Sequence, residues 1–259
     1  MNSSPMGRLE NGVAVSYDFS ISTVFKEGWE KVSGFKSSIW GGILIWIVAS
    51  LILMVIIAVL MGIIHAALGQ SPATKTIQNV LQIIRQLILY PIIGGMFMLG
   101  IKRAVNLPIK ATMVLDYFHD IWRIVGVVIL SMILITIPFA IATVLLTFAM
   151  AMSFFLQVLM GLVSIAFFLL GAYLIWSYIF ALPLTIEKKL SIWKSLETSR
   201  KAVTQHWFKI FFLSWAEIII LALASLPLLL GLIWALPWFY CVQGVLYRTL
   251  FGVDAPRKS

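Results

Sequence analysis

Residues Glu187–Lys209 read EKKLSIWKSLETSRKAVTQHWFK, and they run without a break into Ile210–Ile220, IFFLSWAEIII. The first half is basic and studded with tryptophan. The second is apolar except for one acid, Glu217. A cationic, aromatic segment leading straight into an apolar one marks the place where a chain enters a bilayer, and its cations mark which side it enters from.

The composition agrees with a membrane protein. Of 259 residues 61% are hydrophobic and only 11% charged, whereas soluble domains are about 45–50% apolar and about 25% charged. A water-soluble fold would lack the polar side chains to cover its surface. The net charge of +9 is not a nucleic-acid signature here, because the cations fall between apolar runs. The one cysteine, Cys241, has no partner for an internal disulfide. Residues 1–20 hold no signal-peptide core and read as a flexible tail.

Six apolar runs are long enough for a hydrocarbon core of about 30 Å: about Ile39–Ile64, Leu81–Ile101, Ile124–Ala149, Phe154–Leu182, Phe208–Leu226 and Leu228–Tyr247. The cations sort between the connections. All but two of the 19 lie in the N-terminal region to Lys36, the stretch Lys102–Arg123, the stretch Lys188–Lys209 and the C-terminal end from Arg248. The opposite side keeps Lys75 and Arg85. The positive-inside rule then places both termini in the cytoplasm. Three short helices in Ile124–Ile186 would carry Lys188–Lys209 to the outer side, so two long ones with a turn near Met152 are preferred.

An amphipathic segment precedes each hairpin. Val24, Phe25, Gly28, Val32 and Phe35 share a face in the first, with Ser22 as the expected N-cap. Val114, Tyr117, Phe118, Ile121 and Trp122 do so in the second, and Ile192, Leu196, Val203 and Trp207 in the third. Such helices are expected to lie along the interface with their apolar side in the acyl region. The fold expected is all-α: six transmembrane helices as three parallel repeats of interfacial helix plus hairpin. The repeats cover about 21–105, 106–186 and 187–252, with a C-terminal tail at 253–259.

Three stretches carry a resemblance. VFKEGWEKVSGFKSSIWGGILIW, YPIIGGMFMLGIKRAVNLPIKATMVLDYFHDIWRIVGVVIL and WKSLETSRKAVTQHWFKIFFLSW are similar to a group of bacterial six-helix integral-membrane proteins. The group includes the membrane domain fused to some glycerophosphoryl diester phosphodiesterases. The likeness covers about residues 20–252. It implies a fold and a place in the bacterial inner membrane, and it supplies no catalytic residues.

Candidate sites are few. Glu217 lies about 15 Å below Trp207 at 1.5 Å per residue, near the midplane, where an acid costs about 2.5–3.5 kcal/mol on insertion scales. It reads either as a proton, ion or substrate site or as a protonated acid that holds helices together. Arg85, near the outer end of the second span, completes an intramembrane polar pair only if an axial offset of about 10 Å is closed; otherwise it snorkels to the headgroups. Lys188, Lys189, Trp193, Lys194, Arg200, Lys201, Trp207 and Lys209 form a basic, aromatic face expected to attract anionic lipid headgroups. The sequence contains no HExxH, CxxC, GxSxG or Walker pattern, so no metal, cofactor, nucleic acid or catalysis is expected. The leading expectation is a lipid- or partner-binding scaffold in envelope maintenance. The alternative is a transporter of ions, small molecules or lipids that uses Glu217. The orientation is testable: a periplasm-active reporter fused after Gln70 should be active and one fused after Leu190 silent, and the reverse pattern would overturn it.

Overall fold

A computed structural model describes residues 9–10, 13–14 and 18–253. The tails expected at 1–20 and 253–259 lie mostly outside these. Within the first, Leu9–Glu10 pairs antiparallel with Val13–Ala14. Everything else regular is helical: α1 (Ile21–Val32), α2 (Lys36–Leu68), α3 (Pro72–Ala104), α4 (Ile121–Ala149), α5 (Phe154–Ser177), α6 (Ala181–Glu187), α7 (Ile192–Gln205), α8 (Trp207–Ser225) and α9 (Leu232–Phe251). Among the described residues five stretches are long and apolar enough to cross a membrane: Lys36–Leu68, Pro72–Ala104, Ala111–Ala149, Phe154–Glu187 and Trp207–Ser225. The protein is therefore multi-pass.

The chain divides into two compact units, each drawn from distant parts of the sequence. One comprises Ser22–Val125 and Ile220–Arg248. Its frame is the antiparallel pair α2–α3. The turn between them is closed by Gly69 at φ 67 and by a capping box, in which Ser71 and Thr74 each bond the other's backbone N–H. The core gathers Phe35 and Ile39 at the start of α2, Leu89, Ile92, Met96 and Leu99 of α3, Val114 and Cys241.

Small residues set the spacing in this unit. A Cβ on Gly41 would strike Ala111, and one on Gly95 would strike the Val114 backbone. The second amphipathic segment is drawn down onto α2 and α3 there. It forms two 3₁₀ stretches, Ala111–Leu115 and Phe118–Asp120, instead of the α-helix expected. The closest approach is between α3 and α9. A Cβ on Gly100 would overlap the Tyr240 carbonyl, and one on Gly244 would overlap the Gly100 carbonyl.

α9 is the helix that departs most from expectation. It has the 20 residues that a crossing needs, yet it is not among the five stretches apolar enough to qualify. Gln243 and Arg248 interrupt it, and Cys241–Tyr247 are buried in protein. Its first turn meets the first turns of α2: the Trp40 indole donates to the Ile233 carbonyl at 3.2 Å, and Lys36 lies over the Trp234 ring at 5.0 Å. Its last turn meets Ala104 at the end of α3. α9 therefore crosses α3 obliquely instead of running alongside the α2–α3 pair. The turn before it holds Leu228 and Leu229 in left-handed conformations, φ 49 and 66.

The other unit comprises the segment up to Ile21, Gly126–Ile219 and the segment from Thr249. α4 and α5 form a hairpin turning at Met150–Ser153, as expected, and Pro138 sits inside α4. Phe139 packs edge-on to Phe168 at 5.2 Å. The fourth apolar run is broken. α5 stops at Ser177, and the chain turns through Tyr178–Phe180 before α6. α7 packs against α5 and α6.

The apolar faces of the first and third amphipathic segments are covered by protein and do not lie open to lipid. Val24, Gly28 and Val32 of α1 are buried, as are Leu196, Ala202 and Val203 of α7. Ser22 lies inside α1, which begins one residue earlier, so it is not the N-cap. Gly244→Ala should lower the melting point of the detergent-purified protein, at about 1–3 kcal/mol for overpacking. Gly62→Ala, where no atom lies within 4 Å of the added Cβ, should leave it unchanged. Equal melting points for the two variants would refute the close crossing.

Candidate functional site

The site residues named from sequence fall in different places. Glu217 lies in the unit that contains α5–α7, on α8, and is buried at 1% exposure. One turn earlier on the same face is Ser214, whose Oγ is enclosed with no hydrogen-bond partner among the described residues. The opposite face of α8 is open: Phe212, Trp215, Ile218 and Ile219 are exposed. This division follows from 3.6-residue periodicity, which puts positions 214 and 217 together and 212, 215 and 219 on the other side. Arg85 lies on α3 in the other unit.

The basic segment sorts its cations into bound and outward-facing. Lys188 pairs with Glu187 at 3.3 Å, and both side chains are largely buried, so Lys188 does not face lipid. Lys189 takes a left-handed φ of 54 just before α7 and is exposed. Lys209 binds Asp18 and lies over the Phe19 ring. Arg200 grips Glu197 with two parallel bonds of 3.0 and 2.9 Å, and Lys201 reaches the same carboxylate at 3.3 Å.

The Arg200 guanidinium holds the Glu197 carboxyl below its usual range, and Glu197 pushes Arg200 further up in return. The pair is therefore fully charged at neutral pH. Its contribution is present above the carboxyl's unfolded pKa and fades as pH falls through the depressed one. About a third of each side chain is exposed, so solvent screening keeps that contribution below about 1 kcal/mol. Trp193, at 62% exposure, and Lys194 project outward from α7.

An aromatic ladder runs along α8 and ties it to α5. The Trp207 ring stacks on Phe211, centroids 5.0 Å apart. Phe211 meets Trp176 at 4.7 Å, and Trp176 stacks with Trp215 at 6.5 Å. The Trp207 indole donates to the Tyr173 carbonyl at 3.3 Å. Trp207 is thus locked into the helix pair, while Trp193 is free to meet an interface.

The break between α5 and α6 is held by a residue that sequence reasoning missed. Ser199, fully buried on α7, donates to the Ser177 carbonyl at 2.7 Å and accepts from the Phe180 N–H at 3.3 Å. Those two backbone groups are orphaned by the end of α5, and in an apolar setting they must be met by a side chain. The available signal was Ser195, Thr198 and Ser199 on the inward face of an amphipathic helix, where apolar residues were expected.

Among the described residues no group of three histidine, cysteine or acidic side chains could hold a metal. No protein-family profile, curated protein or solved structure matches the chain. Ser199→Ala should destabilise by about 1–3 kcal/mol, because both backbone groups lose their partner. Ser195→Ala, which removes a buried hydroxyl without a hydrogen-bond partner among the described residues, should be neutral or stabilising. Thermal unfolding of the two variants in detergent checks this, and equal losses would sink the assignment.

Proposed function

We propose that this is a bacterial inner-membrane protein that holds anionic lipid, or a partner protein presented with it, on its cytoplasmic face and carries out no catalysis. In this reading it is a scaffold of the cell envelope, kin to the phosphodiesterase-associated membrane domains its sequence resembles. It crosses the bilayer six times as three parallel repeats, with both termini in the cytoplasm. α9 makes the sixth crossing. α2 and α3 each have 33 residues, about 50 Å, which calls for tilt in any bilayer of ordinary thickness.

The observation that carries the proposal is the outward face of α7. Trp193 and Lys194 project from a helix whose other face is sealed by protein, and Lys201, half-exposed and paired with Glu197, lies on the same outward side. A tryptophan and two cations at one interface suit an anionic headgroup layer, at about 1 kcal/mol per cation near the surface. The double variant Lys194→Gln/Lys201→Gln, in nanodiscs of mixed phosphatidylglycerol and phosphatidylcholine, should weaken enrichment of phosphatidylglycerol around the protein about thirtyfold. High salt should do the same to the wild type. Unchanged enrichment would remove the lipid-binding role from α7.

A second reading follows from Glu217. A carboxyl at 1% exposure, beside a buried hydroxyl at position 214, suits a proton- or ion-carrying site. Under that reading Glu217→Gln abolishes ion flux into proteoliposomes while the protein still folds; flux retained in the variant would leave the residue a structural one.

A further inference from the structure

Arg85, within the crossing stretch Pro72–Ala104, is used by neither reading of function. It falls on the α3 seam that packs against α2, in helical line with Leu81, Leu89 and Ile92; the last two belong to the shared core. Its Nε is enclosed and has no hydrogen-bond partner, while the residue as a whole stays partly exposed. No carboxylate of its own unit pairs with it among the described residues. An enclosed guanidinium nitrogen calls for an acceptor, and the described residues of its unit supply none.

Position says which anion is available. Along α3, Arg85 lies about 26 Å from Lys102. Even with α3 tilted by about 40°, that is about 20 Å of a core about 30 Å thick. The residue therefore sits in the leaflet at the tip of the α2–α3 hairpin, with its head directed by its length toward that leaflet's phosphates.

The sequence of α3 changes character at the same level. Gln78, Gln82 and Gln86 recur every fourth residue and line one side, beside Arg85. They are at least partly exposed. On the neighbouring helix, Val55, Val59 and Ile63 stand exposed at the same level. A fork of guanidinium donors, a row of amides and an apolar ridge match one amphiphile: a phosphate diester on acyl chains.

We propose that Arg85, with Gln82 and Gln86, binds the phosphate of a phospholipid in the leaflet at the hairpin tip. This rests on α2 and α3 crossing the membrane, and it does not depend on the α7 face. Native mass spectrometry of the whole protein in mild detergent, titrated with phosphatidylglycerol, tests it. Wild-type protein should hold a lipid that Arg85→Gln binds about tenfold to a hundredfold more weakly, the range for hydrogen bonds to a charged group. Lys194→Gln/Lys201→Gln should retain that lipid whatever happens at α7.

Arg85→Lys keeps the charge but cannot bridge two phosphate oxygens. It should weaken binding severalfold, and it carries the test should Arg85→Gln fail to fold. Inorganic phosphate in excess should not displace the lipid. Wild-type affinity in the Arg85 variants would overturn the proposal, as would displacement by inorganic phosphate, which would make the occupant a free anion.

Discussion

In hydrocarbon no water is present to take up a stray carbonyl or N–H, so every helix end that nears the membrane must be finished by the protein itself. That constraint shapes both units. Arg248 is nine-tenths buried and holds the Glu27 carboxylate through two bonds, at 2.7 and 2.8 Å, while its Nη1 also donates to the Ala104 carbonyl at 3.0 Å. Arg103 donates from Nε to the Lys31 carbonyl at 2.9 Å and from Nη2 to that of Ser33. Each arginine sits where the C-terminus of a helix leaves carbonyls unmet and the helix dipole is negative. Lys31 in turn donates to Asn106, which takes φ 59 just after α3. In the other unit a hydroxyl does the same work at the gap between α5 and α6.

These contacts change what the cations mean. Read as a pattern, the positive residues at the ends of apolar runs report orientation and promise attraction to lipid. Read in place, Arg103 and Arg248 are occupied with carbonyls, Lys188 with Glu187 and Lys209 with Asp18. A residue can serve both ends, because a cation that caps a helix at the membrane edge still resists being pulled through the bilayer. The surface left to meet lipid is correspondingly small: on α7 Trp193 and Lys194 are exposed and Lys201 is half-exposed beside Glu197, with Lys189 exposed just before the helix.

Much of the helical frame was legible in the sequence because α2, α4 and α5 face lipid along most of their length. A lipid-facing helix must be apolar all round, and such a run cannot be mistaken. α9 was harder for the opposite reason. Protein covers Cys241–Tyr247, so Gln243 and Tyr247 are tolerated and hydropathy weakens where packing is tightest. The break at Ser177 was invisible because Tyr178–Phe180 is as apolar as the helix it interrupts; the clue sat on α7, at Ser199. The partners of Arg103 and Arg248 lie some 70 to 220 residues away in the chain, and no local pattern announces them. Glu217 and Arg85 were conspicuous from the start because a charge in an apolar run has no bland surroundings to hide in.

Arginines close the helix ends of this unit, and the most direct measurement of that closure compares Arg248→Gln with Glu27→Gln by reversible unfolding in lipid nanodiscs. Losing the guanidinium strands both a carboxylate and the Ala104 carbonyl, so Arg248→Gln should cost about 3–5 kcal/mol. Glu27→Gln leaves the guanidinium its carbonyl and an amide oxygen, and it should cost clearly less. If Arg248→Gln proves no more damaging than Glu27→Gln, the arginine does not finish α3, and the account of how this unit is closed is wrong.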